Sequence, residues 1–191
     1  MPVLKVLMCF FAGSIPFAVL AMQGTGIDIL TVGSGNPGFN NVLRVSKGRA
    51  LLTLIGDLGK GFLAVWLSRQ PGDPIWMGWL FGFAVVLGHC YSPFLKFKGG
   101  KGIATSAGVM LVLYPAWAAV SLGLFAGVRI AGSRLKWREA GMIASLSAWV
   151  AFTLLMLVFA GPQDAAIAAV MTLFLGWRHK QNFQNLLAPV G

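Results

Sequence analysis

The sequence predicts an all-α fold: a polytopic membrane bundle of about seven transmembrane helices. Three observations carry this. Of 191 residues, 57% are hydrophobic and only 10% charged, where an ordinary soluble domain carries about 25% charge. The mean hydropathy is +0.78. The apolar residues gather in runs long enough to matter to a bilayer, and a helix is the structure that satisfies its own backbone there. These values exclude disorder, a disulfide scaffold and most soluble enzymes. The 25 Gly and 9 Pro fit, since membrane helices carry more of both than soluble ones. A single integral membrane domain over residues 1–191 is expected.

The runs are Val3–Met22, Ala50–Leu67, Ile75–Tyr91, Ile103–Tyr114, Ala116–Ile130, Ala140–Ala160 and Ala165–Trp177. A full span needs about 20 residues. The first and sixth runs suffice alone; the fourth, fifth and seventh must borrow flanking residues, tilt or shelter among neighbours. Lys5 near the start of the first run, with a small-residue exit, mimics a signal peptide. Gly13-Ser14-Ile15-Pro16 interrupts its apolar core, however, and no alanine-type cleavage site follows, so a retained helix is predicted. Tyr114-Pro115 is the sharp punctuation between the fourth and fifth runs, giving a tight hairpin or one longer kinked element.

Charge orients the bundle. Lys and Arg total 15 against 5 Asp and Glu, a net +10. These residues punctuate apolar runs instead of covering a polar face, which argues against nucleic acid and for anionic lipid or a phosphorylated substrate. With seven spans, Arg44, Lys47, Arg49, Lys96, Lys98, Lys101, Arg129, Arg134, Lys136, Arg138, Arg178 and Lys180 fall on one side. Lys5 and Arg69 fall on the other, and Lys60 lies inside a span. Positive residues stay cytoplasmic. An external N-terminus, a cytoplasmic C-terminus and an odd number of crossings follow.

The polar motifs lie on the basic side. Gly33-Ser34-Gly35-Asn36-Pro37-Gly38-Phe39-Asn40-Asn41, followed by Arg44, spells G-x-G-x-x-G. The dinucleotide reading fails because that motif needs a preceding strand and a βαβ unit. What survives is local: glycines let backbone N–H groups approach an anion, and Ser and Asn add neutral donors. A ligand-free Gly/Asn turn is the alternative. Gly88-His89 through Gly99-Gly100-Lys101-Gly102 to Thr105 resembles a Walker loop only superficially, because Gly102 stands where Ser or Thr is required. Lys101 between glycines at a helix start suits an anion; Lys96 and Lys98 read as topology anchors.

Asp57 and Lys60, three residues apart inside the second run, share a helical face with Thr53. They are either functional or an internal ion pair. His179 and Asn182 share a face if the last helix continues, although a histidine in an exposed tail is ordinarily inert. Cys9 and Cys90 lie in apolar runs and read as packing residues. His89 and Cys90 are adjacent and diverge by about 100° on a helix, so they form no dyad. With only five acids, Asp28, Asp57, Asp73, Glu139 and Asp164, no carboxylate metal site is expected, and neither a nucleophile elbow nor a zinc motif occurs.

Taken in order, five segments resemble the acyl-phosphate-dependent glycerol-3-phosphate acyltransferase family of bacteria (PlsY type). They are Gly13 to Phe17, Gly33 to Asn41 with Arg44, Asp57 to Gly61, Gly88 to Thr105, and Arg178 to Asn182 with Leu186-Leu187. The resemblance implies a seven-helix enzyme of the bacterial inner membrane with a cytosol-facing site. It moves an acyl group from acyl phosphate to the 1-hydroxyl of glycerol 3-phosphate, giving lysophosphatidic acid and phosphate in phospholipid synthesis. It uses no acyl-CoA, metal or cofactor and implies no obligatory protein partner.

By motif position, the resemblance implies Ser34, Lys101, His179 and Asn182 as catalytic. Gly35, Asn36, Gly38, Asn40, Asn41, Arg44, Lys60, His89, Gly99, Gly100, Gly102 and Thr105 are the expected substrate and phosphate contacts. The chain departs from the family at Phe39 and Asn40, where a small residue and Thr are usual, and at Gln181, Phe183 and Asn185, where Glu, Ile and Arg are usual. Two other readings stand beside this one. One is a divergent paralogue with another acceptor. The other is a non-enzymatic anion-binding transporter, which Asp57 and Lys60 would suit, although the repeat common in such transporters is absent.

Overall fold

The structure, a computed structural model, describes residues 1–188. It is helical throughout, with no strand among the described residues. The elements are α1 (Pro2–Ser14), α2 (Phe17–Met22), α3 (Phe39–Val45), α4 (Lys47–Ser68), α5 (Ile75–Cys90), a 3₁₀ turn (Pro93–Leu95), α6 (Ile103–Leu113), α7 (Pro115–Arg134), α8 (Ala140–Phe159), α9 (Pro162–Arg178) and α10 (Lys180–Leu187). Each predicted apolar run is helical. Pro2–Met22, Lys47–Ser68, Ile75–Leu95, Pro115–Arg134 and Ala140–Phe159 are long and apolar enough to cross a bilayer. The α6 helix has 11 residues, which at about 1.5 Å each is half of a hydrocarbon core.

One prediction is revised. The first run is not one helix. Pro16 has no N–H and disfavours helical geometry at the residue before it, so α1 stops at Ser14 and α2 starts at Phe17. The fifth run borrows flanking residues, as expected: its helix extends from Pro115 through Arg134 to 20 residues.

Two compact units are present, Met1–Leu113 and Tyr114 onward. In the first, α4 packs against α1, α2, α3, α5 and α6. Its two tightest crossings are built from facing glycines. On α1 and α5, a side chain at Gly13 would overlap the Val85 carbonyl, and one at Gly88 would overlap that of Phe10. On α4 and α6, Gly61 faces the Thr105 carbonyl and Gly108 faces that of Leu58. Lipid offers no hydrophobic force between helices, so close backbone approach supplies the packing. Lys5 Nζ donates to the Ser68 carbonyl at 2.8 Å, so the two positive residues assigned to the sparse side sit at one end of this unit. Arg49, at the other end of α4, donates to the Ala21 and Gln23 carbonyls.

The second unit stacks α8 between α7 and α9. Trp149, Phe152 and Met156 of α8 are fully buried. Trp117 stacks on Phe159 with centroids 4.2 Å apart, and Thr153 bonds Thr172 at 2.9 Å to tie α8 to α9.

Candidate active site

The break between α1 and α2 takes the Ser14 and Ile15 carbonyls out of the regular helical ladder; the Phe17 N–H reaches that of Ile15 at 3.2 Å. Both are taken by side chains. Lys60 Nζ donates to the Ile15 carbonyl at 2.8 Å, and Ser92 Oγ donates to that of Ser14 at 2.6 Å. Broken helices are tolerated at membrane depth only with such compensation. Lys60 also pairs with Asp57 at 2.8 Å, and the same carboxylate oxygen lies 3.4 Å from His89 Nδ1. All three residues are buried. Asp57 thus serves two basic partners on two helices, and the internal ion pair is the arrangement present.

The central loop is folded onto this cluster. Gly99 and Gly100 donate to the carbonyls of Cys90 and His89, both at 3.1 Å. The approach is so close that a side chain on Gly99 would overlap the His89 carbonyl, and one on Gly100 the His89 ring. Gly102, at φ +89, then turns the chain into α6. Lys101 is left half-buried between this backbone ladder and the start of a helix, where partial positive charge already favours an anion.

The first glycine-rich loop, ahead of α3, is held differently. Gly33 and Gly35 take φ +59 and +64. Asn41 is buried beneath them. Its Oδ1 accepts from the Ser34 N–H, and its Nδ2 donates to the Ile29 and Val32 carbonyls, each at 3.0 Å. Arg44 Nη1 lies 3.8 Å from where a Cβ on Gly33 would stand. Ser34, Asn40 and Arg44 are exposed, with Asn36 and Gly38 partly so. A narrow cleft, with room for about 10 Å³, runs between the loops, with Pro37 from the first, Gly100 from the central one, and Lys60, His89 and Ser92 in its wall.

So the structure brings Lys60, His89 and Gly100 together at the cleft. Asn41 sits under the first loop, with both amide hydrogens engaged. Thr105 lies apart: it is fully buried on α6, and its Oγ1 has no hydrogen-bond partner among the described residues.

In the second unit, the last motif spans a break. Helix α9 ends at Arg178, and α10 begins at Lys180. His179 is at the junction, not in an exposed tail: it is 4% exposed. Its Nδ1 lies 2.7 Å from the Leu175 carbonyl. A carbonyl only accepts, so Nδ1 carries a proton and donates it to this bond. Asn182 Nδ2 donates to Glu139 Oε2 at 2.6 Å.

Sequence reasoning left Ser14, Ile15, Ser92 and Glu139 out of the site. Pro16 was the available signal for the first two. Nothing local marked the others.

A multi-pass helical membrane protein with anion-ready loops over a buried ion-pair cluster is the class defined so far. The glycerol-3-phosphate acyltransferase family profile matches residues 3–189, and the chain belongs to that family. It is 42% identical over 186 residues to a glycerol-3-phosphate acyltransferase of Methylobacillus flagellatus, covering 95% of this chain and 91% of that one. A counterpart from Laribacter hongkongensis is 39% identical over 190 residues, covering 96% and 92%. Among solved structures, PlsY (YgiH), an integral membrane glycerol 3-phosphate acyltransferase in its glycerol 3-phosphate form, superposes with a TM-score of 0.86. The identity is 30%, covering 100% of this chain and 96% of that one. Its lysophosphatidic acid form gives 0.84, with 30% identity and coverage of 97% and 91%. The chain is a membrane-bound acyltransferase, and the transporter reading falls away.

Proposed function

We propose that this acyltransferase takes its acyl group from acyl phosphate and places it on the 1-hydroxyl of glycerol 3-phosphate, releasing lysophosphatidic acid and phosphate. The hydroxyl oxygen attacks the acyl carbonyl carbon, and the bond to the phosphate oxygen breaks. A mixed anhydride already has a good leaving group, so no acyl-enzyme is needed. The protein positions both substrates and neutralises charge. The hydroxyl proton has two acceptors, the His179 ring and the departing phosphate.

Ser34, Lys101, His179 and Asn182 are proposed as catalytic. Arg44, Asn36, Asn40 and the backbone of Gly35, Gly38, Gly99, Gly100 and Gly102 hold phosphate. Asn41, Lys60 and His89 shape the site from beneath. The observation that carries the reading is Lys101 fixed at the start of α6 by a glycine ladder that admits no side chain. Both substrates bear phosphate, and this loop and the Arg44 loop offer two cationic places for them. The acyl tail lies in the bilayer. Both units serve one membrane domain, with the N-terminus outside and the site facing the cytoplasm of a bacterial inner membrane. The clustering of Lys5 with the end of α4 supports that orientation.

The test is purified protein in detergent with palmitoyl phosphate and glycerol 3-phosphate. Equal yields of lysophosphatidic acid and phosphate are expected. Turnover with palmitoyl-CoA but not palmitoyl phosphate would overturn the donor assignment.

A further inference from the structure

We propose that the turn from Pro93 to Lys98 is a bilayer-contact loop. Phe94 and Phe97 enter the edge of an anionic leaflet, Lys96 and Lys98 meet its phosphate headgroups, and the membrane so holds the central loop where a lipid-dissolved donor reaches Lys101. The part played in catalysis rests on the reading that the donor is acyl phosphate with its tail in the bilayer.

Helix length sets the level of the turn. The 16 residues of α5 rise about 24 Å, short of a hydrocarbon core of about 30 Å. The apolar span runs on to Leu95, so the turn after the helix stays at the edge of the bilayer. Phe94 and Phe97 are each 63% exposed there. Lys96 and Lys98 are exposed beside them, and neither side chain has a hydrogen bond or ion pair among the described residues.

The backbone of the turn is strained. Lys96 and Phe97 both lie in the left-handed region, at φ +50 and +62, which a bulky side chain rarely adopts. Such strain persists where the surroundings fix it. The Leu95 and Phe97 N–H groups both donate to the Ser92 carbonyl, at 3.0 and 2.9 Å, and the Lys98 N–H donates to that of Leu95 at 2.9 Å. Ser92 is pinned in turn by its hydroxyl to the Ser14 carbonyl. The Gly99–Gly100 ladder closes the other end. The result is two aromatic rings kept uncovered, alternating with two cations.

A topology anchor needs only the charges. It calls for neither exposed rings nor left-handed backbone. Apolar rings among cations match a surface that is apolar within and anionic outside, which is a leaflet containing anionic lipid. Lys101 follows three residues after Lys98, across glycines that admit no side chain, so an anchor at the turn also fixes the approach to Lys101.

The experiment uses the full chain reconstituted in vesicles of phosphatidylglycerol and phosphatidylcholine. In Phe97→Cys the added thiol takes a nitrobenzoxadiazole label, Cys9 and Cys90 being buried. Its fluorescence should be quenched by a nitroxide on the lipid chains and not by aqueous iodide. The reverse would overturn the proposal, whatever the donor. Phe94→Ser combined with Phe97→Ser should raise KM for palmitoyl phosphate about tenfold, since interfacial binding follows buried apolar area. The values of kcat and of KM for glycerol 3-phosphate should not move. A fall in kcat, or a rise in both KM values, would make the rings part of the packing of the site and overturn the proposal. Wild type should show a lower KM for palmitoyl phosphate when phosphatidylglycerol is added to phosphatidylcholine, and Lys96→Gln with Lys98→Gln should abolish that difference. A difference that survives both substitutions would overturn the headgroup contact. If wild type does not use palmitoyl phosphate, the donor reading fails and the quenching alone decides the loop. If the double Ser variant does not fold, the label and the lysine pair decide it.

Discussion

The two glycine-rich loops look alike in sequence and are built on opposite principles. In the first, Gly33 and Gly35 supply positive φ, and one buried side chain, Asn41, holds the loop through three hydrogen bonds. In the central loop, Gly99 and Gly100 supply proximity: backbone bonds backbone, and no side chain fits. The first loop is shaped from below by a side chain. The second is shaped by contact with the end of α5. Removing the Asn41 side chain therefore undoes the first, whereas the central loop has no such side chain to lose and fails when a single carbon is added at Gly99 or Gly100.

The largest expected effect separates charge from shape in the central loop. Lys101→Met should lower kcat by about 10²–10³-fold, the usual cost of one stabilising group in a transition state, with the apparent Tm unchanged. Lys96→Met, on an exposed left-handed residue of the same loop, should change kcat little. Near wild-type turnover of Lys101→Met would end the anion-clamp assignment.

Next comes the added carbon. Gly99→Ala forces a Cβ into the His89 carbonyl, and backbone cannot rotate aside as a side chain can. Overpacking of this kind costs about 1–3 kcal/mol, so the apparent Tm should fall together with activity. A variant with unaltered Tm would mean the ladder is looser than described.

For the first loop, Asn41→Asp is the sharper probe. The shape is nearly unchanged, and the acceptor for the Ser34 N–H remains. The other oxygen now faces the Ile29 and Val32 carbonyls with no proton to offer. Leaving such buried groups unpaired costs about 1–3 kcal/mol each. Loss of stability with Asp comparable to that with Ala would confirm that the amide's two donations hold the loop. Full stability with Asp would show that the Ser34 bond alone suffices.

Much of the fold was legible because bilayer physics is local. An apolar run is visible in a window of twenty residues, and so is the glycine-flanked Lys101. The break at Pro16 was visible too, but not its consequence. Lys60 reaches Ile15 across 45 residues and Ser92 reaches Ser14 across 78, pairings that no periodicity encodes. Asn41 shows the limit within a motif: residue type marked it as a phosphate donor, yet its whole hydrogen-bonding capacity apart from one acceptor lone pair is spent on the loop. His179 shows the limit at an element's end. Near the end of the chain it read as tail, whereas the α9–α10 junction buries it.

The smallest expected effect tests whether the two Asn neighbours of α3 divide their work as described. Asn40 is exposed in the first turn of α3, next to the buried Asn41. Replacing it with Thr, the usual family residue, touches none of the three bonds that hold the loop. The change in helix propensity is small, both residues lying close together on the host scales. Stability should therefore stay at wild type. Activity should rise modestly, because an amide brings a carbonyl acceptor that must be turned away from any phosphate, whereas a hydroxyl donates without that constraint. The measurement is kcat/KM for glycerol 3-phosphate, wild type against Asn40→Thr, under saturating palmitoyl phosphate. A fall of tenfold, about 1.4 kcal/mol, with Tm unchanged would place Asn40 in direct contact with the acceptor and mark the loop as retuned for a different one. A fall in Tm would instead show that the shape of the loop is shared between positions 40 and 41, and that a single side chain does not hold it.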